Sequence, residues 1–515
     1  MKTQNSIRQL ADKYQNENLK IKIFNLFFFN KYFFFLLLVF AVFVFYFSYL
    51  SIRRVETLNS HYYDLGIMNQ VVYNTYRGRF LEMTNPTFLK NMSRLAIHFD
   101  PILALFSPFY LIYPSYKWLL IWQVFVVALG GIFLFFLARK VLKNDFLSFF
   151  VGLSYFFYFA VERMVLFDFH SVVLTTTFFI ASFYFLEIKN WFWFYFFIFL
   201  SLLTKEHIGL IVLFFGIYLF IFKREKKHGI FTAILGLVFF LSTTYFLIPY
   251  FRGDKHFASS YFANIKSRFF SILDNGFWYF FRLVNPLFFS LLAPEILLIA
   301  SPEWGINILS TNNNMRSIYF HYHAIIVSFL FIGLIYGLKR FEEVIKNKKV
   351  KKIFFMIFVI LNIYSFYLYN PLPFFVKEKV DYPDIHWLTK KSIKYWQEKL
   401  KDENISVSTT PRLAPFFTQR KYYYNFLFDP AYSEIGEVDD DIIRKSDKYQ
   451  KTDYVIIYKK EIGDVDKGGL PAKIYQKLQQ DKSYQMIYSD SLNDQYGGSI
   501  EVYKKSQNSN VKTQN

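Results

Sequence analysis

From Ile23 to Leu50 the chain is almost continuously apolar, with Lys31 as the only charged side chain in the run. A hydrocarbon core about 30 Å thick needs about 20 apolar residues per helical crossing, so this stretch suffices for a bilayer. It is longer than the apolar core of a cleaved signal peptide and lacks that signal's small-residue cleavage site. It therefore reads as a retained first helix. Lys13, Lys20 and Lys22 precede it and place the N-terminal segment 1–22 in the cytoplasm.

Further apolar runs follow at 118–138, 146–161, 172–186, 191–203, 208–222, 231–250, 318–338 and 353–369. Residues 276–309 are apolar but broken by Arg282, Pro286, Pro294, Glu295 and Pro302, which reads as two short or re-entrant pieces. The total is about 11 membrane segments. Several runs fall below the length of a full crossing, most clearly the two that flank Lys205-Glu206-His207. Short spans meeting at a charged tip put that tip below the membrane surface, against a cavity.

Composition agrees. The 515 residues are 54% hydrophobic and only 19% charged, which excludes a disordered chain and argues against a soluble enzyme. There is no cysteine, so disulfides, thiolate metal sites and cysteine catalysis are excluded. The net charge of +20 is carried before Pro371, where 36 Lys and Arg face 18 Asp and Glu. Beyond it the balance is 23 against 21. The excess follows the loops read as cytoplasmic and reports topology; no nucleic-acid partner is implied.

The expected organisation is a cytoplasmic segment 1–22, a helical membrane domain 23–370 with a long first outer loop at 51–116, an extracytoplasmic α/β domain 371–505, and a disordered tail 506–515. In the α/β domain, 382–400 and 470–478 have helical spacing, whereas 405–408, 454–458, 484–488 and 499–503 read as strands. The run Tyr422-Tyr423-Tyr424 is a candidate partner-binding surface.

No Walker A loop, dinucleotide glycine fingerprint, His-Glu-x-x-His or serine elbow is present. The chemistry resides instead in short polar clusters: Tyr63-Asp64, His98-Phe99-Asp100, Asp168-Phe169-His170, Lys205-Glu206-His207 and His321-Tyr322-His323. In the expected topology all five reach the outer side. Ionisable groups at membrane depth cost several kcal/mol unless paired or hydrated, so their convergence points to a polar cavity for a charged ligand. Carboxylates with Lys, Arg and His suit a phosphate, held directly or through a divalent cation such as Mg or Mn. A single Asp also serves as general base towards an acceptor hydroxyl. The competing readings are helix capping by Asp100 and Asp168, and mutual pairing of Lys205 with Glu206.

Tyr63-Asp64-Leu65-Gly66, His98-Phe99-Asp100-Pro101, Asp168-Phe169-His170, Lys205-Glu206 with Gly209, Asn285-Pro286-Leu287, Leu291-Leu292-Ala293-Pro294-Glu295 and His321-Tyr322-His323 together resemble the membrane-protein family called domain of unknown function 2079. That family looks like the C-type (GT-C) membrane glycosyltransferases, which use lipid-phosphate-linked sugars. The resemblance implies a GT-C-like fold and transfer of a sugar from a polyprenyl-phosphate carrier at the outer face of the cell membrane. It implies Asp64 and Asp100 as the catalytic or metal-site carboxylates. His98, Asp168, His170, Lys205, Glu206, Arg316, His321 and His323 would surround the donor phosphate. Many such transferases carry a doubled acid in the first outer loop, whereas Asp64 has no adjacent acid. A transporter or lipid-handling protein without covalent chemistry is the alternative, since broken helices and buried charges occur there too.

Overall fold

The computed structural model describes residues 30–84, 91–253, 262, 265–374, 376–427, 447–463, 470–490 and 499–506. The expected cytoplasmic segment 1–22, the start of the first apolar run, His256 and nearly all of the expected tail lie outside these residues.

The first helix, α1 (Lys31–Glu56), opens where the Asn30 side chain accepts from the backbone N–H groups of Tyr32 and Phe33. Asn30 also donates to Asp145, fixing the start of α1 against a later helix. After α1 a single π-helical turn, Tyr62–Gly66, leads into α2 (Ile67–Tyr76), and a two-stranded antiparallel hairpin follows, β1 (Glu82–Thr84) with β2 (Asn91–Ser93). The helices that follow are α3 (Lys117–Leu142), α4 (Asp145–Phe156), α5 (Phe159–Leu166), α6 (Thr175–Glu187), α7 (Trp191–Leu202), α8 (Ile208–Ile221), α9 (Lys226–Arg252), α10 (Phe269–Val284), α11 (Ser301–Leu309), α12 (Ala324–Val344) and α13 (Lys348–Tyr369).

Among the described residues five of these, α1, α3, α9, α12 and α13, are long and apolar enough to cross a membrane. A sixth crossing results if α4 and α5, bent by 42°, count as one. About 11 segments are expected from the sequence, and the balance takes the form of shorter apolar helices. At 1.5 Å per residue, α7 and α8 are only about 18 and 21 Å long, shorter than a hydrocarbon core about 30 Å thick. Close backbone packing holds α8 to α9: a Cβ added to Gly209 would lie 2.6 Å from the Gly236 carbonyl oxygen. Residues 285–300 form short 3-10 and α turns between α10 and α11, the broken course that the prolines predict. α10 begins at Phe269, seven residues ahead of the apolar stretch that the sequence offers from residue 276.

The C-terminal part is a five-stranded sheet in the order β4-β3-β5-β7-β6. The strands are β3 (Val407–Thr409), β4 (Tyr423–Asn425), β5 (Tyr454–Tyr458), β6 (Tyr484–Ser489) and β7 (Ile500–Lys505). β3 runs parallel to β4 and β5; β7 is antiparallel to both β5 and β6. Helices α14 (Trp387–Lys399) and α15 (Leu470–Gln480) accompany it. β4 holds part of the tyrosine run that the sequence offers as a partner surface. Tyr423 is instead fully buried, stacked near Tyr62 and hydrogen-bonded to Thr409, so the run is core at its centre.

The sheet does not hang free. One apolar core joins residues of the first loop, including Tyr62, Leu65, Val71 and Leu103, to Trp396, Leu413, Phe417 and Ile456. Polar groups seal it. The buried Asn69 amide donates to Pro415 O and Thr418 Oγ1, both at 3.1 Å, and Gln70 donates to Arg420 O at 3.2 Å. Arg77 and Arg79 both reach Glu403.

Candidate active site

The π-helical turn that follows α1 sets the position of Asp64. Such a turn adds one residue to the helical path and re-aims the side chains it carries, which is why these turns recur at functional sites. Gly66 closes the turn against the sheet-bearing part; its missing Cβ would sit 3.1 Å from Ala414 Cβ. Asp64 Oδ1 lies 3.2 Å from His170 Nε2, and the carboxylate keeps 17% side-chain exposure. Burial pushes its carboxyl up, yet the hydrogen bond and charge of His170, with Arg54 and His61, hold it below the ordinary carboxylate value.

His170 stands on the connector between α5 and α6, and three contacts fix it. Its backbone N–H donates to Gln123 Oε1 at 2.8 Å, its Nδ1 is 2.9 Å from the Asp168 carbonyl oxygen, and its ring stacks on His321 at 3.6 Å. Gln123, wholly buried in α3, also donates to Phe167 O and so clamps both sides of the connector. His321 is 4% exposed, and its Nδ1 has no hydrogen-bond partner among the described residues. Asp168 pairs with Arg54 at 2.5 Å, and the guanidinium lies 5.1 Å from the Phe167 ring. Asp168 thus serves an ion pair and does not cap the helix after it. Tyr382, from the segment ahead of α14, acts electrostatically on Arg54.

A second group adjoins the first. Asp100 holds Arg94 through both carboxylate oxygens, at 3.0 to 3.2 Å, and both side chains are about 5% exposed. It makes no side-chain cap to the Pro101 helix. Burial raises its carboxyl against the pull of Arg94. Glu206 accepts from Phe99 N at 3.0 Å and binds His98 Nδ1 at 3.1 Å. Burial drives His98 down to about 3 despite Glu206, with Lys205 adding to the shift, so this ring is neutral and Nδ1 is the donor.

Lys205 differs from every cation named so far. Glu206 does not take it, contrary to the pairing that their adjacency invites, and among the described residues its ammonium makes no hydrogen bond or ion pair. It is half-buried and acts electrostatically on His98, Asp100 and His321. A half-buried ammonium of this kind, beside neutral imidazoles, has the chemistry to receive an anion.

The structure therefore gathers Asp64, Asp168, His170 and His321 in direct contact, with Lys205, His98, Glu206 and Asp100 adjoining. Two expected residues stand apart. His323 Nε2 bonds Ala160 O at 2.9 Å and ties α12 to α5. Arg316 donates to Ile308 O and Ser310 O, neutralising the C-terminal end of α11. Asp64 and Asp100 have no hydrogen-bond or ion-pair partner in common among the described residues. No group of three His, Asp or Glu there has metal-binding geometry. A protein-built metal cage does not fit these residues; a magnesium-like ion on Asp64 would need substrate phosphate and water for the rest of its shell.

Sequence reading missed Arg54, Gln123, Arg94 and Tyr382. Arg54 is legible only as a flank of the first span, and Gln123 as one amide in an apolar helix. The one available signal is the cost of placing that amide at membrane depth.

Fold and site together define a polytopic membrane protein with a cluster of ionisable side chains at the helix connectors and an attached α/β sheet. The chain belongs to the family described as "Predicted membrane protein (DUF2079)", whose model matches residues 54–495. No curated protein matches its sequence. Its fold is similar to that of ArnT from Cupriavidus metallidurans, whose crystal structure was determined bound to undecaprenyl phosphate. The two chains are 10% identical, the match covers 92% of this chain and 98% of that one, and the TM-score is 0.53.

Proposed function

We propose that the protein is a membrane glycosyltransferase that moves a sugar from a polyprenyl-phosphate-linked donor to an acceptor at the outer face of the membrane. The single observation that carries this reading is Lys205, whose ammonium makes no hydrogen bond or ion pair among the described residues and lies within electrostatic reach of the same histidine, His321, that stacks on the ring beside Asp64. A fold like that of a protein crystallised with undecaprenyl phosphate supports the choice of ligand.

In this reading the anionic carrier enters beside Lys205, and the sugar lies towards Asp64. Asp64 orients the acceptor hydroxyl and takes its proton as the new glycosidic bond forms. Lys205 stabilises the charge that develops on the leaving phosphate. A divalent cation on Asp64 would screen the same phosphate. Arg54 and Asp168 neutralise one another beside the site and hold the connector that carries His170. The N-terminus is cytoplasmic and the sheet-bearing part extracytoplasmic in this topology. A reporter fused after Tyr369 and active only in the cytoplasm would overturn that orientation.

The test is a thermal shift of the detergent-purified protein with undecaprenyl phosphate, with and without magnesium. A ligand that binds only the native state adds about 2.7 kcal/mol at a hundredfold excess over its Kd. The expected result is a full shift in the native protein and in Asp64→Asn, and a markedly smaller one in Lys205→Ala. No shift in a protein shown to be folded rejects a lipid phosphate at Lys205.

A further inference from the structure

One stretch of the first loop is apolar on two faces and packed on only one. Residues 101–113 fold as a 3-10 segment, Pro101–Phe106, and a helical turn, Phe109–Ile112, and no charged side chain occurs from Pro101 to Tyr116. The inner face is satisfied by Ile102, Leu103, Phe106 and Tyr110, all buried. Phe106 meets Phe169 edge-on with ring centres 5.3 Å apart, the Ile102 N–H donates to Leu203 O at 3.1 Å, and Tyr110 Oη donates to Asn69 Oδ1 at 2.7 Å. The outer face presents Leu105, Leu111, Ile112 and Tyr113, the last three 72%, 72% and 68% exposed. Large apolar side chains left open side by side mark a surface that meets something apolar.

The helices on either side say what that is. Asn30, at the start of α1, donates to Asp145, just past the end of α3; Lys117, at the start of α3, bonds Glu56, at the end of α1, at 2.7 Å. The two helices are therefore antiparallel neighbours, and the chain between them leaves and returns at one membrane surface. Residues 101–113 are also too few for a crossing, which takes about 20. The exposed Lys117–Glu56 pair marks the polar side of the boundary. Trp118 and Trp122, on the first turns of α3, mark its apolar side, as indole rings do at the headgroup level. Phe109 packs on both, with ring centres 5.6 and 4.8 Å away, and Trp118 Nε1 donates to Tyr113 O at 3.0 Å. The exposed face of 105–113 thus continues the lipid-facing surface of α3 at headgroup depth.

We propose that residues 105–113 lie flat in the bilayer interface as an anchoring shelf, with Leu105, Leu111 and Ile112 among the upper acyl carbons and Tyr113 at the headgroups. The partner is the lipid of the leaflet where α1 ends and α3 begins. Apolar faces of this kind sink about 5–10 Å into the boundary. The inner face rests on Phe169, between Asp168 and His170, and on Leu203, two residues before Lys205. The shelf therefore ties the depth of both connectors to the membrane surface. This role is independent of which ligand the charged cluster takes.

The chain has no cysteine, so one introduced thiol labels one place. Leu111→Cys and Ile112→Cys would carry an environment-sensitive fluorophore in the full-length protein in phosphatidylcholine nanodiscs. Lys401→Cys, at an exposed residue of the sheet-bearing part, is the water-facing control. Labels at 111 and 112 should emit to the blue of the control, resist aqueous iodide, and be quenched several-fold more strongly than it by a nitroxide on the upper acyl chain. Iodide quenching equal to the control's, with none from the lipid nitroxide, leaves a water-facing loop and overturns the shelf. Shielding from both quenchers means that protein covers the face, and overturns it too. The tie to the connectors has its own readout: Leu111→Ser combined with Ile112→Ser should speed amide hydrogen exchange at residues 167–171 and 203–207 in nanodiscs, with Tm near native. Unchanged exchange there overturns the tie.

Discussion

Asp100 and Asp64 follow the same kind of sequence context, an aromatic residue just before an acid in the loop after the first span, yet their surroundings differ in how far each charge is satisfied. Both oxygens of Asp100 are bound by Arg94, and its neighbours Glu206 and His98 are likewise occupied. Among the described residues Asp64 keeps one oxygen unbound, and Lys205 next to these groups makes no hydrogen bond or ion pair. A saturated charge holds a loop together, whereas an unsaturated one has bonding capacity left over. That difference sets apart two acids that residue type alone does not distinguish.

The sharpest way to break this comparison is to remove each acid in turn. Asp64→Asn should lower transfer by about 10²–10⁴-fold, the usual contribution of a positioned base, with a Tm close to native. Asp100→Asn should do the opposite: it leaves Arg94 buried without its partner, at a cost of about 3–5 kcal/mol, visible as a large drop in Tm or loss of expression. Equal Tm losses in both variants would erase the distinction.

A third buried acid calibrates it. Glu461, in the sheet-bearing part, accepts from Arg412 N through both oxygens, and burial pushes its carboxyl up to about 7 despite that bond, Thr410 and the Arg412 charge. The fold favours its neutral form, so between about pH 4.5 and 7 the native state binds more protons than the unfolded chain. Stability therefore falls as pH rises through that window, by about 3 kcal/mol. Glu461→Gln should flatten that part of a Tm-against-pH curve.

Smaller effects refine the cation side. Lys205→Ala should cost about 1.5–3 kcal/mol of lipid-phosphate affinity with unchanged Tm, read by titration with undecaprenyl phosphate. Arg316→Ala should cost only about 0.3–1 kcal/mol of stability from the end of α11 and leave that affinity intact. Weakened lipid binding in Arg316→Ala would return this guanidinium to the phosphate site.

Much of this was legible in the sequence. Long apolar runs announce the membrane helices because lipid demands length, and the prolines at 286, 294 and 302 mark the broken segment between α10 and α11. Strands β5, β6 and β7 are short runs rich in aromatic and β-branched residues. The polar clusters at 64, 168–170, 205–206 and 321 do converge, since an ionisable group at membrane depth needs a partner. What stayed hidden depends on distance in space. Nothing near Asp100 in the chain says that Arg94 takes both its oxygens, or that Arg54 waits for Asp168. The three-residue strand β4 is too short for a periodic signal, and its tyrosines resemble a sticky surface until Tyr62 is packed against them.

The bonds from Asn69 and Gln70 to Pro415, Thr418 and Arg420 bear on how the protein is made. Asn69 and its partner in Pro415 are 346 residues apart. At synthesis rates of about 5–20 residues per second, the first loop waits roughly 17–70 s for the groups that satisfy it. Throughout that interval Asn69 lacks Pro415, Thr418 and Gln419, and Gln70 has Thr84 but not Arg420, while the apolar face around them has no cover. A nascent chain stopped before residue 403 cannot close this region at all. Premature termination late in the message should therefore yield a product that membrane quality control removes, even with every bilayer-crossing helix already inserted.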